Sequence, residues 1–369
     1  MSSFEKLTER IRTEIPFEDI LLFSLQLPEL QRQETGIHFF ETGRMKYGRK
    51  EYLALRQETR SLNKPCLIVT DLAHISLTNR LLWECENAVA SVCIDSEDPY
   101  PVEAGVSRTD YLVWDYQAAR AEEDDFAFMS GWSNSYNLEK FRDEEVQEYI
   151  NDAVLKITPY IDGQSQLLEV GIGSGMIAFP LIPKCRRYDG CDFSKEVLAI
   201  LQKRIDQAGF QNTELYQLSA HEIGRISRSY DCILMSSVTE YFSGYNYMRE
   251  VVRQCIGKID GSGNIFLLDV FDLDRLDDYK ESVARYAEAH PEGKSKKDFS
   301  HELYFPRNYW ETLRDSLPGI KVIEVTDKIG EIDNEINRYR YDVRIEVDHS
   351  CGLSECSYKK QFAMGQRDS

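Results

Sequence analysis

The segment Leu167-Leu168-Glu169-Val170-Gly171-Ile172-Gly173-Ser174-Gly175 decides the fold class of this 369-residue chain. Its apolar start predicts a buried strand, and three glycines at alternate positions follow where the chain must turn sharply into a helix. Glycine permits positive φ angles and lets a ligand lie against bare backbone. The spacing G-x-G-x-G differs from the G-x-G-x-x-G of dinucleotide-binding loops, which shifts the expectation away from NAD. The segment therefore predicts a ligand-binding turn at the end of a buried strand.

Strands and helices alternate on the C-terminal side of this turn. The apolar pattern predicts further strands at 188–192, 214–218, 230–235 and 264–270, with helices at 194–208 and 247–259. Two last apolar strands, near 321–325 and 341–347, could close the sheet. This alternation predicts an α/β fold with a Rossmann-like, parallel, doubly wound sheet that is covered on both faces.

The N-terminal part of the chain has a different pattern. Apolar strands at 65–71 and 89–95, with helical spacing between them, predict a small additional α/β region without a phosphate loop. The acidic stretch 121–125 looks like a solvated connector. We expect four parts in the chain: an N-terminal α/β accessory region at 1–120 that contacts substrate or partner, connector and lid helices at 121–160, the main domain at 161–350, and a C-terminal tail at 351–369.

The composition excludes several classes of function. A net charge of −19 and a pI near 4.9 argue against a nucleic-acid-binding surface, which requires clustered Lys and Arg. The chain has no apolar run approaching the ~20 residues that span a bilayer and no basic-then-apolar leader at its start. Its nine cysteines form no Cys-x-x-Cys pair, so no metal site is predicted. We expect a cytoplasmic protein that binds neither nucleic acid nor membrane.

Asp192 completes a candidate cofactor site. It ends the strand after the glycine turn, seventeen residues beyond Gly175, and its carboxylate can accept hydrogen bonds from both hydroxyls of a ribose. The loop and the acid together suit an adenosine cofactor. The alternative is a tight turn beside an exposed carboxylate that has no ligand.

Several segments resemble a known family. Glu-Val-Gly-Ile-Gly-Ser-Gly at 169–175 is similar to the first motif of class I S-adenosylmethionine-dependent methyltransferases. Further segments resemble the methyltransferase domains embedded in nonribosomal peptide synthetases and related assembly lines, among them 131–136, 188–194, 236–242, 265–270, 303–306 and 334–343. The last, Asn-Glu-Ile-Asn-Arg-Tyr-Arg-Tyr-Asp-Val, is close to the run with which those domains typically end. The resemblance covers roughly residues 128–348.

The resemblance implies a site for S-adenosylmethionine across the C-terminal edge of the sheet. The implied cofactor-binding residues are Trp132 and Tyr136 as a lid, Glu169, Gly171, Gly173 and Gly175 in the loop, Asp192 on the ribose, Phe193, Ser219, Ala220 and His221 beside the adenine, and Ser236. The chain departs from the family pattern at two of these positions, because many relatives carry an acid where Ser219 stands and Asn where Ser236 stands.

The candidate catalytic residues are Glu240, Tyr241 and His301. By family analogy Glu240 and Tyr241 face the methyl group, whereas relatives often carry Gln at position 240. A carboxylate at this position could orient a cationic amine or serve as a base, and the sequence leaves both roles open. A neutral amine needs only positioning and an acceptor for its N–H, whereas a hydroxyl or carbon acid needs a base.

These residues predict a methyltransferase that acts on an amino-acid-derived small molecule or carrier-bound intermediate in specialised metabolism, on nitrogen. A carrier protein or synthetase would then act in trans. One alternative is an O- or C-methyltransferase of a free small molecule. Another is a non-catalytic, adenosine-binding scaffold subunit.

Overall fold

The computed structural model describes residues 132–242, 244–299 and 302–350, together with a few positions between 56 and 85 and the backbone of five outlying strands. The chain divides into two compact units, one made of residues 1–107 with 242–248 and the other of residues 108–241 with 249–369. Most of the predicted accessory region, the predicted connector at 121–131 and His301 lie outside the described residues.

The first unit contains a small sheet. Its strands are β1 (Leu21–Ser24), β2 (Ile37–Phe39), β3 (Cys66–Thr70) and β4 (Ala88–Cys93). They pair in the order β2-β1-β3-β4, and every neighbouring pair is parallel. The predicted strands at 65–71 and 89–95 are β3 and β4, whereas β1 and β2 were not predicted. A parallel sheet of this kind fits the small additional α/β region expected from the sequence.

The second unit contains the large sheet. Its strands are β5 (Gln166–Val170), β6 (Arg187–Asp192), β7 (Thr213–Gln217), β8 (Tyr230–Ser236), β9 (Ile259–Phe271), β10 (Ile320–Asp327), β11 (Arg340–Asp348) and β12 (Ser357–Lys360). The strand order is β12-β10-β11-β9-β8-β5-β6-β7. Strands β5 to β9 are mutually parallel, and β11 runs antiparallel to both β9 and β10. The predicted Rossmann-like α/β fold is confirmed.

The helices described lie between these strands. They are α1 (Asp143–Ile157), α2 (Ala178–Leu181), α3 (Lys195–Ala208), α4 (Tyr245–Ile256), α5 (Leu276–Ala289), α6 (Tyr309–Ser316) and α7 (Glu335–Tyr339). None of the helices in the described part of the chain is both long and apolar enough to cross a membrane.

Local sequence explains where helices α1 and α3 begin and end. In α1, Glu145 accepts a hydrogen bond from the Arg142 backbone N–H at 3.0 Å, and Pro159 lies two residues beyond the last helical residue, Ile157. In α3, the Ser194 side chain accepts from the Val197 N–H at 3.2 Å, and Gly209 ends the helix at φ 75°. Both helices contribute apolar side chains to the main core, which also includes β5, β6 and β8.

The order in which the chain adds strands to the sheet reverses between β5 and β8. The chain moves outward from β5 through β6 to β7 and then returns to place β8 on the other side of β5. In open α/β sheets, ligands bind outside the carboxyl ends of the strands at such a switch point. The turns after Val170 and Ser236 lie at this point, and the turn after Asp192 lies beside it.

Candidate active site

The glycine turn after β5 requires glycine for steric reasons. Gly171, Gly173 and Gly175 have φ angles of 71°, 52° and 83°, in the left-handed region that favours glycine. A Cβ at Gly171 would lie 2.6 Å from a methyl group of Val238, and a Cβ at Gly175 would lie 2.7 Å from Leu201. The turn therefore lies directly against the segment that follows β8.

Asp192 lies beside this turn, as the sequence predicted. Its carboxylate accepts hydrogen bonds from the backbone N–H of Gly173 at 3.1 Å and from that of Ser194 at 2.9 Å. Phe193 follows it and is partly buried. The acid and the glycines thus form one edge in which carboxylate oxygens and backbone amides face each other. These are the donor and acceptor types that a ribose and a carboxylate group can bind.

Glu169 lies under the turn. It is buried, and one of its carboxyl oxygens accepts a hydrogen bond from the Tyr188 hydroxyl at 2.6 Å. The pKa of Glu169 is raised to about 8, chiefly by burial; the hydrogen bond from Tyr188 opposes this rise, and the nearby charge of Asp192 contributes to it. The carboxyl group therefore carries a proton at neutral pH unless a cation lies next to it.

The segment Ser219-Ala220-His221 starts a short 3₁₀ helix after β7. The Leu218 N–H donates to the Asp192 carbonyl at 3.0 Å, so this segment lies next to the acid. Ser219 is buried and caps the 3₁₀ helix, because its N–H donates to Glu222 at 3.0 Å while its side chain accepts from the Glu222 N–H. Ala220 is buried and His221 is partly buried. Ser219 thus has a structural role in addition to the predicted adenine-side one.

The two lid candidates have different surroundings. Trp132 is buried in the main core, where its ring packs edge-on against Tyr149 with 4.3 Å between the ring centroids. The hydroxyl of Tyr136 is 2.9 Å from that of Ser282 in α5, and its ring contacts Tyr286. The contacts described for the Tyr136 side chain are thus with α5 and with Tyr339 on α7, and not with the glycine turn.

The segment after β8 brings Ser236 and Glu240 to the same edge of the sheet. The hydroxyl of Ser236 is 2.6 Å from that of Tyr149, and the backbone at Ser237 has a positive φ of 52°. A single 3₁₀ turn, Thr239–Tyr241, follows. Adjacent side chains in this turn have different environments, because Glu240 is 2% exposed and Tyr241 is 51% exposed.

Glu240 is a buried acid with an unused hydrogen-bonding atom. Its Oε2 is buried and accepts no hydrogen bond from any residue that the structure describes. The pKa of Glu240 is raised to about 8, chiefly by burial; the charges of Asp269 and Glu302 contribute to this rise, and the charge of Arg340 opposes it. Burying a carboxyl oxygen without a hydrogen-bond donor costs free energy. This oxygen therefore marks a place where a ligand can supply the donor.

A buried ion network supports the ends of β8 and β9, and sequence reasoning missed most of it. Asp269 has a positive φ of 65° and accepts hydrogen bonds from Ser237 at 2.6 Å and from Arg340. Lys328 lies 3.0 Å from Asp152 and 3.3 Å from Asp342. Asp269 lies near the end of the apolar strand β9, where the sequence pattern indicates burial and not an ion pair. Arg340 and Asp342 belong to the segment whose resemblance to the synthetase domains was noted without a role.

Part of the chain is similar to known proteins. Residues 168–260 match the family model of a methyltransferase domain. Chondramide synthase cmdD of Chondromyces crocatus is 28% identical over 242 residues, which cover 62% of this chain and 6% of that protein. The probable non-canonical nonribosomal peptide synthetase CymA of Salinispora arenicola is 28% identical over 230 residues, which cover 61% of this chain and 3% of that protein. The chain thus spans only a small fraction of either relative.

Solved structures of methyltransferases are also among the proteins to which the chain is similar. An S-adenosylmethionine-dependent methyltransferase from Clostridium acetobutylicum aligns with 55% of this chain and 91% of its own, at 11% identity and a TM-score of 0.41.

Proposed function

Because the chain carries a class I S-adenosylmethionine-dependent methyltransferase domain that resembles those of nonribosomal peptide synthetases, we propose that it methylates a nitrogen atom. The acceptor in this proposal is an amino-acid-derived small molecule or a carrier-bound intermediate of specialised metabolism. The observation that carries the choice of nitrogen is Glu240, a buried carboxyl group with one unpartnered oxygen at the switch point of the sheet.

The residues at the glycine turn fit the cofactor. Asp192 offers carboxylate oxygens to the ribose hydroxyls, and the side-chain-free turn lets the ligand lie against backbone amides. Glu169 provides a buried carboxyl group under the turn, which suits the ammonium group of an amino-acid moiety. When bound, S-adenosylmethionine supplies a methyl group on a positively charged sulfur and leaves as S-adenosylhomocysteine once that group has moved to the acceptor.

Glu240 suits an amine acceptor. In its ionised form it accepts the N–H of a neutral amine and thereby directs the nitrogen lone pair. A methylated nitrogen carries one surplus proton, and the ionised Glu240 can take it. A pKa of about 8 makes Glu240 a better proton acceptor than an ordinary carboxylate, whose pKa is about 4.5. Turnover should therefore rise with pH through about 8, as Glu240 and the amine both lose their protons.

The names of the relatives support an assembly-line context for the substrate. They are synthetases of which this chain matches a small part, so the acceptor could be a free amino acid or one held on a carrier protein supplied in trans. Residues 1–120 are the proposed contact region for such a substrate or partner.

The decisive experiment is mass spectrometry of the product formed with isotopically labelled cofactor. The panel contains the proteinogenic amino acids as free acids, as N-acetylcysteamine thioesters and as carrier-bound thioesters. We expect the label on nitrogen. A label on oxygen or carbon would contradict methylation on nitrogen, but it would still agree with a methyltransferase. Cofactor binding without any methylated product would favour the scaffold alternative.

Glu240→Gln separates an orienting acid from a true base. If the acceptor is an amine, the amide oxygen still accepts its N–H, and turnover should stay within about tenfold of the parent. If the acceptor is a hydroxyl or carbon acid and Glu240 is its base, the loss should be about 10²-fold to 10⁴-fold. Glu311→Gln, at an exposed position on α6, is the matched control.

A further inference from the structure

Two residues near the carboxyl ends of β8 and β9 have a left-handed backbone although neither is glycine. Ser237, directly after β8, has a φ of 52°, and Asp269, near the end of β9, has a φ of 65°. The two side chains are joined, because the Ser237 hydroxyl donates a hydrogen bond to the Asp269 carboxylate at 2.6 Å. Residues with a Cβ adopt this conformation only where surrounding contacts hold it in place.

Asp269 is a fixed end point for this hydrogen bond. Its side chain is fully buried, and Arg340 on β11 donates to the same carboxyl oxygen, Oδ2, that accepts from Ser237. Its backbone N–H donates to the Asp342 carboxylate, also on β11, at 2.7 Å. The backbone and the side chain of Asp269 are thus both held by β11, and the turn after β8 is tied to them through Ser237.

Tyr149 on α1 joins a third element to this pair. Its hydroxyl oxygen lies 2.9 Å from that of Ser237 and 2.6 Å from that of Ser236. Each hydroxyl has one proton, and that of Ser237 is directed to the Asp269 carboxylate, which can only accept. All three contacts are therefore hydrogen bonds only if Tyr149 donates to Ser237 and Ser236 donates to Tyr149. These four residues form a relay that runs in one direction and ends at a buried carboxylate.

The turn that this relay holds packs against the glycine turn. Val238 directly follows Ser237, and a Cβ at Gly171 would lie 2.6 Å from one of the Val238 methyl groups. Strands β5 and β8 are parallel neighbours, which brings the residues after Val170 next to those after Ser236. The Val238 side chain thus fills the space beside Gly171 and limits the conformations that the glycine turn can adopt.

We infer that Tyr149 is a positioning residue for the cofactor, because through Ser237 it keeps Val238 against Gly171 and so holds the glycine turn in its binding conformation. This inference rests on the cofactor site proposed above at that turn. A turn that already has its bound conformation loses less conformational freedom when the ligand arrives, so the ligand binds more tightly. Tyr149 acts on the cofactor only through the relay.

The test compares two buried tyrosine hydroxyls at opposite ends of β8. Tyr149 contacts Ser236 at the last residue of the strand, whereas Tyr230 is the first residue and donates to the buried Asp189 at 2.9 Å. Tyr149→Phe and Tyr230→Phe each remove one hydroxyl and keep the ring. We expect Tyr149→Phe to weaken binding of S-adenosylhomocysteine about tenfold and Tyr230→Phe to weaken it by less than about threefold. Isothermal titration calorimetry on the full-length proteins measures both, and their melting temperatures report the stability that each has lost.

Two substitutions of Ser237 separate the conformation of the turn from the stability of the protein. Ser237→Ala loses the hydroxyl and keeps a Cβ that disfavours a φ of 52°, whereas Ser237→Gly loses the same hydroxyl and adopts this angle without strain. The glycine variant should therefore bind S-adenosylhomocysteine about threefold or more tightly than the alanine variant. A role in stability alone would leave both folded variants with the affinity of the parent protein.

The outcomes that contradict the relay differ from those that contradict the cofactor site. The relay would be overturned if Tyr149→Phe bound as tightly as the parent, if both Phe variants lost affinity equally, or if Ser237→Gly bound no more tightly than Ser237→Ala. The cofactor site would stand in each case. The Ser237 pair decides the question if Tyr149→Phe does not fold. A parent protein that does not bind S-adenosylhomocysteine would overturn the cofactor site, and the relay's role with it.

Discussion

Asp192 has two roles that must be separated in any experiment, since it accepts hydrogen bonds from two backbone amides and is also the proposed ribose acceptor. Asp192→Asn keeps one acceptor oxygen but loses the charge. We predict that it weakens binding of S-adenosylhomocysteine by about 1.5–3 kcal/mol, the scale of a charge-assisted hydrogen bond lost from a desolvated site. Isothermal titration calorimetry measures this change directly.

A matched control for this variant is Asp206→Asn, because Asp206 is an exposed acid on α3 whose carboxylate accepts a hydrogen bond from the Gln202 side chain. Its affinity for the cofactor product should equal that of the parent. Unchanged affinity in Asp192→Asn, with the melting temperature also unchanged, would remove Asp192 from the cofactor site.

Glu169 and Glu240 make the stability of the protein depend on pH. Burial raises the pKa of each to about 8 in the folded state, whereas an ordinary glutamate has a pKa of 4.5. Between these values the folded state binds more protons than the unfolded chain, so the free energy of unfolding decreases as pH rises. The stabilisation is complete below about 4.5 and is lost as pH rises through about 8.

We therefore predict that Glu240→Gln is less sensitive to alkaline pH than the parent protein. Urea denaturation at about pH 5.5 and about pH 8.5 should show a smaller loss of unfolding free energy in the variant, because the amide has no proton to release. Glu311→Gln should behave like the parent. An identical pH dependence in all three proteins would show that Glu240 is not a buried proton carrier.

At the scale of the elements, strands and helices were predicted best where the pattern that indicates them lies within one short stretch of sequence. The strand Gln166–Val170 lies at the apolar start of the glycine-containing segment, as predicted, and the strands and helices from β6 to β9 lie within a few residues of their predicted ranges. The helix α5 (Leu276–Ala289) was missed, although it supplies Tyr279 to the aromatic cluster beside the site. The antiparallel direction of β11 was not predicted either, because an apolar run indicates burial and not direction.

The same distinction applies to the site. Gly171 and Gly175 could be predicted because glycines at alternate positions mark a tight turn, and Asp192 could be predicted because it ends an apolar strand. Lys328 could not be, because it pairs with a residue from a distant segment, Asp152, and such a pair leaves no periodic pattern in the sequence. Tyr149 lies on α1, and the contact of its hydroxyl with Ser236 joins two segments that are far apart in the sequence.

A buried ion network connects residues at the ends of β9 and β11. Lys328 is 1% exposed and lies near Asp152, Asp342 and, at 4.0 Å, Asp269. We predict that Lys328→Met destabilises the protein by about 3–5 kcal/mol, because it leaves buried carboxylates without their counterion. Lys321→Met, which removes a half-exposed partner of Glu346 on β11, should cost less than about 1 kcal/mol. Equal urea midpoints for the two variants would contradict a structural role for the network.

At the scale of the whole molecule, the N-terminal unit consists of two separate stretches of the chain. Residues 242–248 group with residues 1–107, and they directly follow Glu240 and Tyr241 in sequence. The glycine turn and Asp192 belong wholly to the other unit. Removing the N-terminal unit therefore deprives 242–248 of the residues it groups with while leaving the cofactor-side residues in their own core.

This division predicts a selective defect in a fragment that starts at residue 108. The fragment should bind S-adenosylhomocysteine within about threefold of the full chain, since one core supports the whole cofactor edge and such a difference is below 1 kcal/mol. Its turnover of the amine substrate should fall by tenfold or more, because the segment next to the acceptor turn has lost its supporting unit. Circular dichroism and a cooperative melting transition first establish that the fragment is folded. Full turnover by a folded fragment would show that residues 1–107 are dispensable for the reaction, and lost cofactor affinity would show that the two units fold as one.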